Sequence, residues 1–273
     1  MKSVTQKLFV LSALIASTVL PATAFALPMN RTDITIFDGD AGNGGAGDAR
    51  GVFEDGETEP GMVNSQTWDM ESVFQYGGGS KLGMISGFNF KNGYGGFTAG
   101  DIFIDTKGTH LPGSAQTGVN GYRIESYANF GYDFVIDVDW TSIDANGVGS
   151  YKVVLMDDAN DDALVSKPWY KQNYGSGPFE YISGGTVITT GSFMFESGLS
   201  DAQTGFAGGN HYAAYGFDLG FLGQYDEFWV SNAMGCGNDH LLGHGAPASV
   251  AEPSSLVLLG LGLMGLGYLR KRV

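Results

Sequence analysis

The chain has 273 residues, with 14 basic side chains against 29 acidic ones and a formal net charge of −15. Without its two ends it keeps nine basic residues against 28 or 29 acidic ones, about −20, which repels nucleic acid and other acidic polymers. Nucleic-acid binding is therefore excluded, and a lone cysteine, Cys236, excludes an internal disulfide.

At the N-terminus, Lys2 and Lys7 precede an apolar run from Leu8 to Leu20, which Pro21 closes. Ala24 and Ala26 then form an A-x-A site. Charge, apolar core and small residues in that order read as a secretory signal peptide over 1–26, cut after Ala26. The remaining body, 27–242, reads as one domain, because no Pro- or Ser-rich linker divides it. Forty-four glycines and an abundance of Phe, Tyr and Trp point to short strands, tight turns and an aromatic core.

Alternation of apolar and polar residues predicts strands at 32–38, 66–74, 81–90, 100–105, 132–140, 150–156, 186–195, 211–222 and 226–232. In YDFVIDVDW (132–140), Phe134, Ile136, Val138 and Trp140 share one face. Asp133, Val135, Asp137 and Asp139 share the other, which reads as an acidic outer face. Gly77, Gly78 and Gly79 read as a hairpin loop, and Ser200 as the cap of one short helix. The expected fold is all-β, an antiparallel β-sandwich or jelly-roll-like body.

Two acidic loops offer oxygen ligands for calcium: Asp38 and Asp40 open the Gly-rich loop 38–61, and Asp157, Asp158, Asp161 and Asp162 crowd the second. Neither follows the EF-hand spacing, and a solvated acidic turn explains both without an ion. The segment 169–181 is unusually aromatic for a loop. Trp169, Tyr170 and Tyr174 there are candidates for stacking on a sugar, or else cover the core.

MGCGNDHLLGH (234–244) gathers Cys236, Asp239, His240 and His244. A Cys–His nucleophile, or zinc held by His240 and His244 at i, i+4 on a helix, would need that geometry. Gly235, Gly237, Gly243 and Gly245 argue against a helix. A tight turn in which Asn238 and Asp239 bond backbone amides is the expectation. The eight glutamates of the body single out no catalytic pair, so the chain reads as non-enzymatic.

Residues 243–250 read as a linker before a tail, 251–273. Its uncharged run Leu256 to Leu269 would make a helix of ~21 Å, short of the roughly 30 Å bilayer core. Ser254, Ser255 and snorkelling Arg270 and Arg272 narrow that gap, giving a short membrane helix. Arg270, Lys271 and Arg272 would then face the cytoplasm.

Glu252 and Pro253, the Leu/Gly span and the terminal basic cluster together resemble the PEP-CTERM sorting signal of exported proteins of Gram-negative bacteria. Ala251 stands where the first proline usually does. The resemblance implies recognition by a membrane enzyme, exosortase, cleavage near Glu252 and Pro253, and transfer to the cell surface or an extracellular matrix such as a biofilm. FDG, EDGETEPG, QTWDMES, GFNFKNGYGGFTAGDIFID and MGCGNDHLLG further resemble an uncharacterised domain that precedes such tails. The functional expectation is a structural or adhesive matrix protein. The alternatives are a carbohydrate-binding or carbohydrate-cleaving surface module, in contact with extracellular polysaccharide, and a periplasmic protein permanently anchored by an uncut tail.

Overall fold

The computed structural model of the protein describes residues 27–36, 63, 65–108, 123–126, 131–156, 162–165 and 178–248. The signal-peptide segment, the 38–61 loop and the tail lie outside the described residues. The strands are β1 (Thr32–Asp33), β2 (Met70–Tyr76), β3 (Lys81–Ser86), β4 (Ala99–Asp105), β5 (Arg123–Ser126), β6 (Phe134–Asp139) and β7 (Val148–Leu155). They continue with β8 (Asp162–Val165), β9 (Pro178–Ser183), β10 (Thr186–Leu199), β11 (His211–Asp218), β12 (Phe228–Met234) and β13 (His240–Gly245). One short helix, α1, spans Asp201–Thr204.

Ten strands form one sheet in the order β1-β2-β3-β11-β10-β7-β6-β4-β12-β13, and every pairing in it is antiparallel. The expected all-β antiparallel body is present, and its opposed faces belong to a single curled sheet. The sheet's ends meet at a seam. Thr32 and Asp33 pair with Gln75 and Phe74 of β2, and Thr35 then bridges to Gly243 of β13. The Ile36 amide donates to Leu242 O and the His244 amide to Ile34 O, each at 2.9 Å. A side chain at 243 would lie 2.4 Å from Val73 and 2.8 Å from Val230, so only glycine lets the strands close there.

The interior is aromatic. Phe90 stacks on Trp140 with ring centroids 5.3 Å apart, and Phe193 stacks on Phe217 at 5.1 Å. Leu82, Met84, Ile102, Ile104, Ile136, Val153 and Phe228 fill the space around them. Burial of that apolar area is the main force holding the sheet curled.

Alternation places the predicted inward residues of β6 correctly, since Phe134, Ile136 and Val138 all lie in the core. Its other face differs from the expectation. Val135, with Phe103 of β4 and Val154 of β7, is fully buried beneath a small antiparallel sheet, β5-β8-β9. Two of the acidic residues on this face meet lysines, Lys107 Nζ bonding Asp133 and Lys152 Nζ lying 2.9 Å from Asp137, while exposed Asp139 accepts from Thr141 N and Ser142 N. Period-two patterning shows two faces but cannot show that a second layer covers the polar one.

On the opposite flank a third apolar cluster, including Phe74, Ile85, Leu199, Phe206 and Tyr215, lies between the sheet, α1 and the segment around Leu27. Ser200 caps α1 as expected, its backbone amide and hydroxyl both donating to Gln203 Oε1 at 3.0 and 2.8 Å. Gly77, Gly78 and Gly79 turn β2 into β3, all three at positive φ. Within the segment 243–250 read as a linker, residues 243–245 belong to β13, and the Ala248 amide donates to Gly79 O at 3.2 Å. Among the described residues no helix is long and apolar enough to cross a membrane, and the tail lies outside them.

Candidate functional site

The segment 234–244 is a strand end, a turn and a strand start. Gly237 N donates to Met234 O at 2.8 Å, and β13 begins at His240. The expected backbone bonding is present: Val63 N donates to Asn238 Oδ1 at 3.0 Å and His240 N to Asp239 Oδ1 at 2.9 Å. His240 and His244 lie on a strand, so their spacing of four separates them by about 13 Å. They share no ligand. His240 Nε2 lies 2.6 Å from Ser231 Oγ, while His244 stacks on Trp229 at 4.4 Å and meets Glu227 Oε2 at 3.1 Å. Among the described residues no group of three His, Cys, Asp or Glu side chains is placed to hold a metal.

Cys236 is 2% exposed, and burial pushes its thiol up to about 11. A thiol held protonated and covered is a poor nucleophile and a poor cross-linker. We expect a disulfide reagent at neutral pH to leave Cys236 unlabelled in the native protein and to label it fully in denaturant. Stoichiometric native labelling would contradict the burial.

Of the proposed calcium ligands, Asp38, Asp40, Asp157, Asp158 and Asp161 lie outside the described residues. Asp162 opens β8, in register with Ser126 and Ser183. Trp169, Tyr170 and Tyr174 also lie outside. Tyr181, from the same aromatic stretch, belongs to β9; its hydroxyl donates to Gly184 O at 2.6 Å and its ring lies 5.3 Å from Lys152 Nζ.

Two buried polar arrays were not foreseen. In the first, His211 is 0% exposed between two carboxylates. Its Nδ1 is 2.7 Å from Glu71 Oε1 and 2.8 Å from Oε2, and its Nε2 is 2.9 Å from Asp201 Oδ1. Asp201 also accepts from Gly209 N at 2.8 Å. The His211 hydrogen bond holds the Asp201 carboxyl below the ordinary carboxylate value. The array ties β2, β11 and the α1 turn together, and Arg31 adds donations to Thr204 O and Gln203 O.

In the second, Asp101 of β4 is enclosed beneath β9. Its Oδ1 accepts from Val138 N and its Oδ2 from Tyr181 N, both at 2.8 Å. Burial, then the neighbouring Asp137, raises this carboxyl well above its ordinary value, against the lowering effect of the two amides. The aspartate joins the small sheet to the large one. The second array engages backbone amides at both carboxylate oxygens, whereas the first links side chains of β2, β11 and α1.

A groove of about 610 Å³ lies beside β10. Tyr151 and Phe221 give it apolar surface, Thr189, Thr190 and Ser192 give hydroxyls, and Lys81 is paired with Asp218 at 2.6 Å. Sequence reading found the strand but not the groove, which depends on where neighbouring strands part.

Comparison with known families matches residues 249–272 to the PEP-CTERM protein-sorting motif. That span contains Glu252, Pro253, Arg270, Lys271 and Arg272, the residues singled out in the tail. No curated protein and no solved structure matches the chain. The β-rich body carries at its C-terminus a PEP-CTERM protein-sorting motif, and the chain is an exported protein sorted through exosortase, a membrane enzyme.

Proposed function

We propose that this is a non-enzymatic surface or extracellular-matrix protein of a Gram-negative bacterium, with a structural or adhesive body. The tail holds the precursor at the membrane, exosortase cuts near Glu252 and Pro253, and the body moves outward to meet extracellular polysaccharide. The observation that carries this reading is positional. The Ala248 amide is bonded to Gly79 O on the body, and the sorting motif matches from residue 249. A processing enzyme would meet the motif directly beside a finished domain. The buried carboxylates Glu71 and Asp101 support a structural role, since each is engaged by the protein's own imidazole or amides.

The test is the intact mass of the protein recovered from the envelope and medium of its native host. The expected species lacks residues 1–26 and everything after about Glu252. A mass that retains LVLLGLGLMGLGYLRKRV would instead make it a permanently anchored protein.

A further inference from the structure

β10 is fourteen residues long, but its two neighbours share it unequally. β7 pairs with it from Thr186 to Met194, whereas β11 pairs only from Met194 to Leu199. At Gly216, with φ at +108°, β11 turns aside. Its next residues, Phe217 and Asp218, continue along β3 opposite Leu82 and Lys81. Gly216 still packs against Ser192 and Phe193, so among the described residues the β11-side edge of Thr186–Gly191 has no strand beside it. The groove of about 610 Å³ runs along this edge.

An unpaired strand edge is a template for another strand, and proteins usually blunt it with charge, proline or cover. Among the described residues this edge carries no charge or proline of its own; a register shift between Val187 and Thr189 bends it, and the Lys81–Asp218 pair lines the groove beside it. Thr186 to Thr190 are exposed, and Val187 and Ile188 remain 52% and 42% exposed. TVITT is rich in β-branched residues, which suit a sheet. The run Tyr181 to Phe195 carries no charge, in a chain whose net charge is −15.

We propose that β10 is a self-association surface, on which two copies of this chain pair β10 against β10, antiparallel about a two-fold axis. Charge selects the occupant. A neutral edge offers nothing to attract a partner of opposite charge, and the acidic remainder repels a second copy everywhere else. What the edge presents is backbone hydrogen bonding and β-branched packing, and both are self-complementary. Antiparallel two-fold pairing uses both edges at once and leaves none open, so the assembly closes as a dimer. Ile188 lines the groove and enters that of the partner copy, whose Tyr151 and Phe221 receive it. This surface is independent of the sorting reading and stands or falls apart from it.

The experiment is a cysteine scan in the full chain, extracted in mild detergent. Single substitutions Thr186→Cys, Thr190→Cys and Ser192→Cys are oxidised, with Ser197→Cys as a control on the part of β10 that β11 covers. Cys236 stays buried and silent. The expected result is a disulfide-linked dimer with one maximum between positions 186 and 192 and little at 197. Diluting about a hundredfold before oxidation, or adding Ile188→Lys, should lower its yield roughly tenfold. Equal yields at all four positions would place the contact in the tail and overturn the proposal. So would the absence of dimer, including the case in which Thr186–Gly191 amides resist hydrogen exchange in a monomer because another segment of the same chain covers them.

Discussion

Replacing His211 by alanine is expected to destabilise the protein by about 3–5 kcal/mol, from the cavity left by a fully buried ring and the lost hydrogen bond to a buried carboxylate. The reason is geometric. Glu71 is 0% exposed and accepts from the imidazole at 2.7 and 2.8 Å. Without the ring, the buried carboxylate keeps Gln66 Nε2 as a donor but loses the imidazole, and a cavity opens where β2 meets β11. His211→Ala combined with Glu71→Ala should cost less than the sum of the two single changes, because both changes remove the same contact. Asp201→Ala should cost much less than either, since that side chain is 54% exposed and water replaces the lost partner. Urea midpoints for the wild type and the four variants measure this. A single-mutant loss under about 1 kcal/mol would mean that the His211–Glu71 contact does not hold the flank.

The second large effect is expected at Asp101. Asp101→Ala orphans two buried amides, Val138 N and Tyr181 N, at about 1–3 kcal/mol each, so a total of roughly 2–6 kcal/mol. The loss should be local first. β9 would loosen from β4, and Tyr181 and Phe103 would become accessible before the main core does. Amide exchange should report this as faster opening of 178–183 than of β2 or β11. Acidity gives an independent check. Burial raises this carboxyl in the folded state, so the native protein keeps its proton to higher pH than the unfolded chain. Stability contributed by this group is therefore greatest at low pH, and it falls as pH rises from the ordinary value of 3.8 through the folded one. Asp101→Asn should flatten that decline in urea midpoints taken between about pH 4 and 7. An unchanged slope would assign the decline to other carboxyls.

The inward strands were legible because burial on one face imposes period two. Phe134, Ile136 and Val138, or Ile102 and Ile104, announce themselves in sequence and lie in the core. Three of the elements that escaped notice are β5, β8 and β9, which are four to six residues long. They form a covering layer, so Val135 looked like an outlier on an acidic face when it was the floor of a second interface. β13 escaped because its glycines and histidines imitate a turn. Gly243 is there for contact with Val73 and Val230, a demand that comes from strands distant in sequence. The polar arrays were illegible for the same reason. Glu71 and His211 are 140 positions apart, and nothing near either announces the other. The tail was read most completely, since a sorting signal is recognised as a linear string and needs no fold.

The seam between Thr35 and Gly243 has a bearing on export. Its two sides are the first and last strand segments of the body, more than two hundred residues apart in sequence. A chain delivered N-terminus first would hold an open sheet until His240 to Gly245 emerged, because Ile34 and Ile36 draw their bonds from that last strand. Closure so late favours slow folding, since the longest loop must be ordered before its contacts reward it. A chain truncated anywhere before β13 retains an unzipped edge and remains open to proteases, whereas a chain that closes has necessarily delivered the residues directly ahead of its sorting motif.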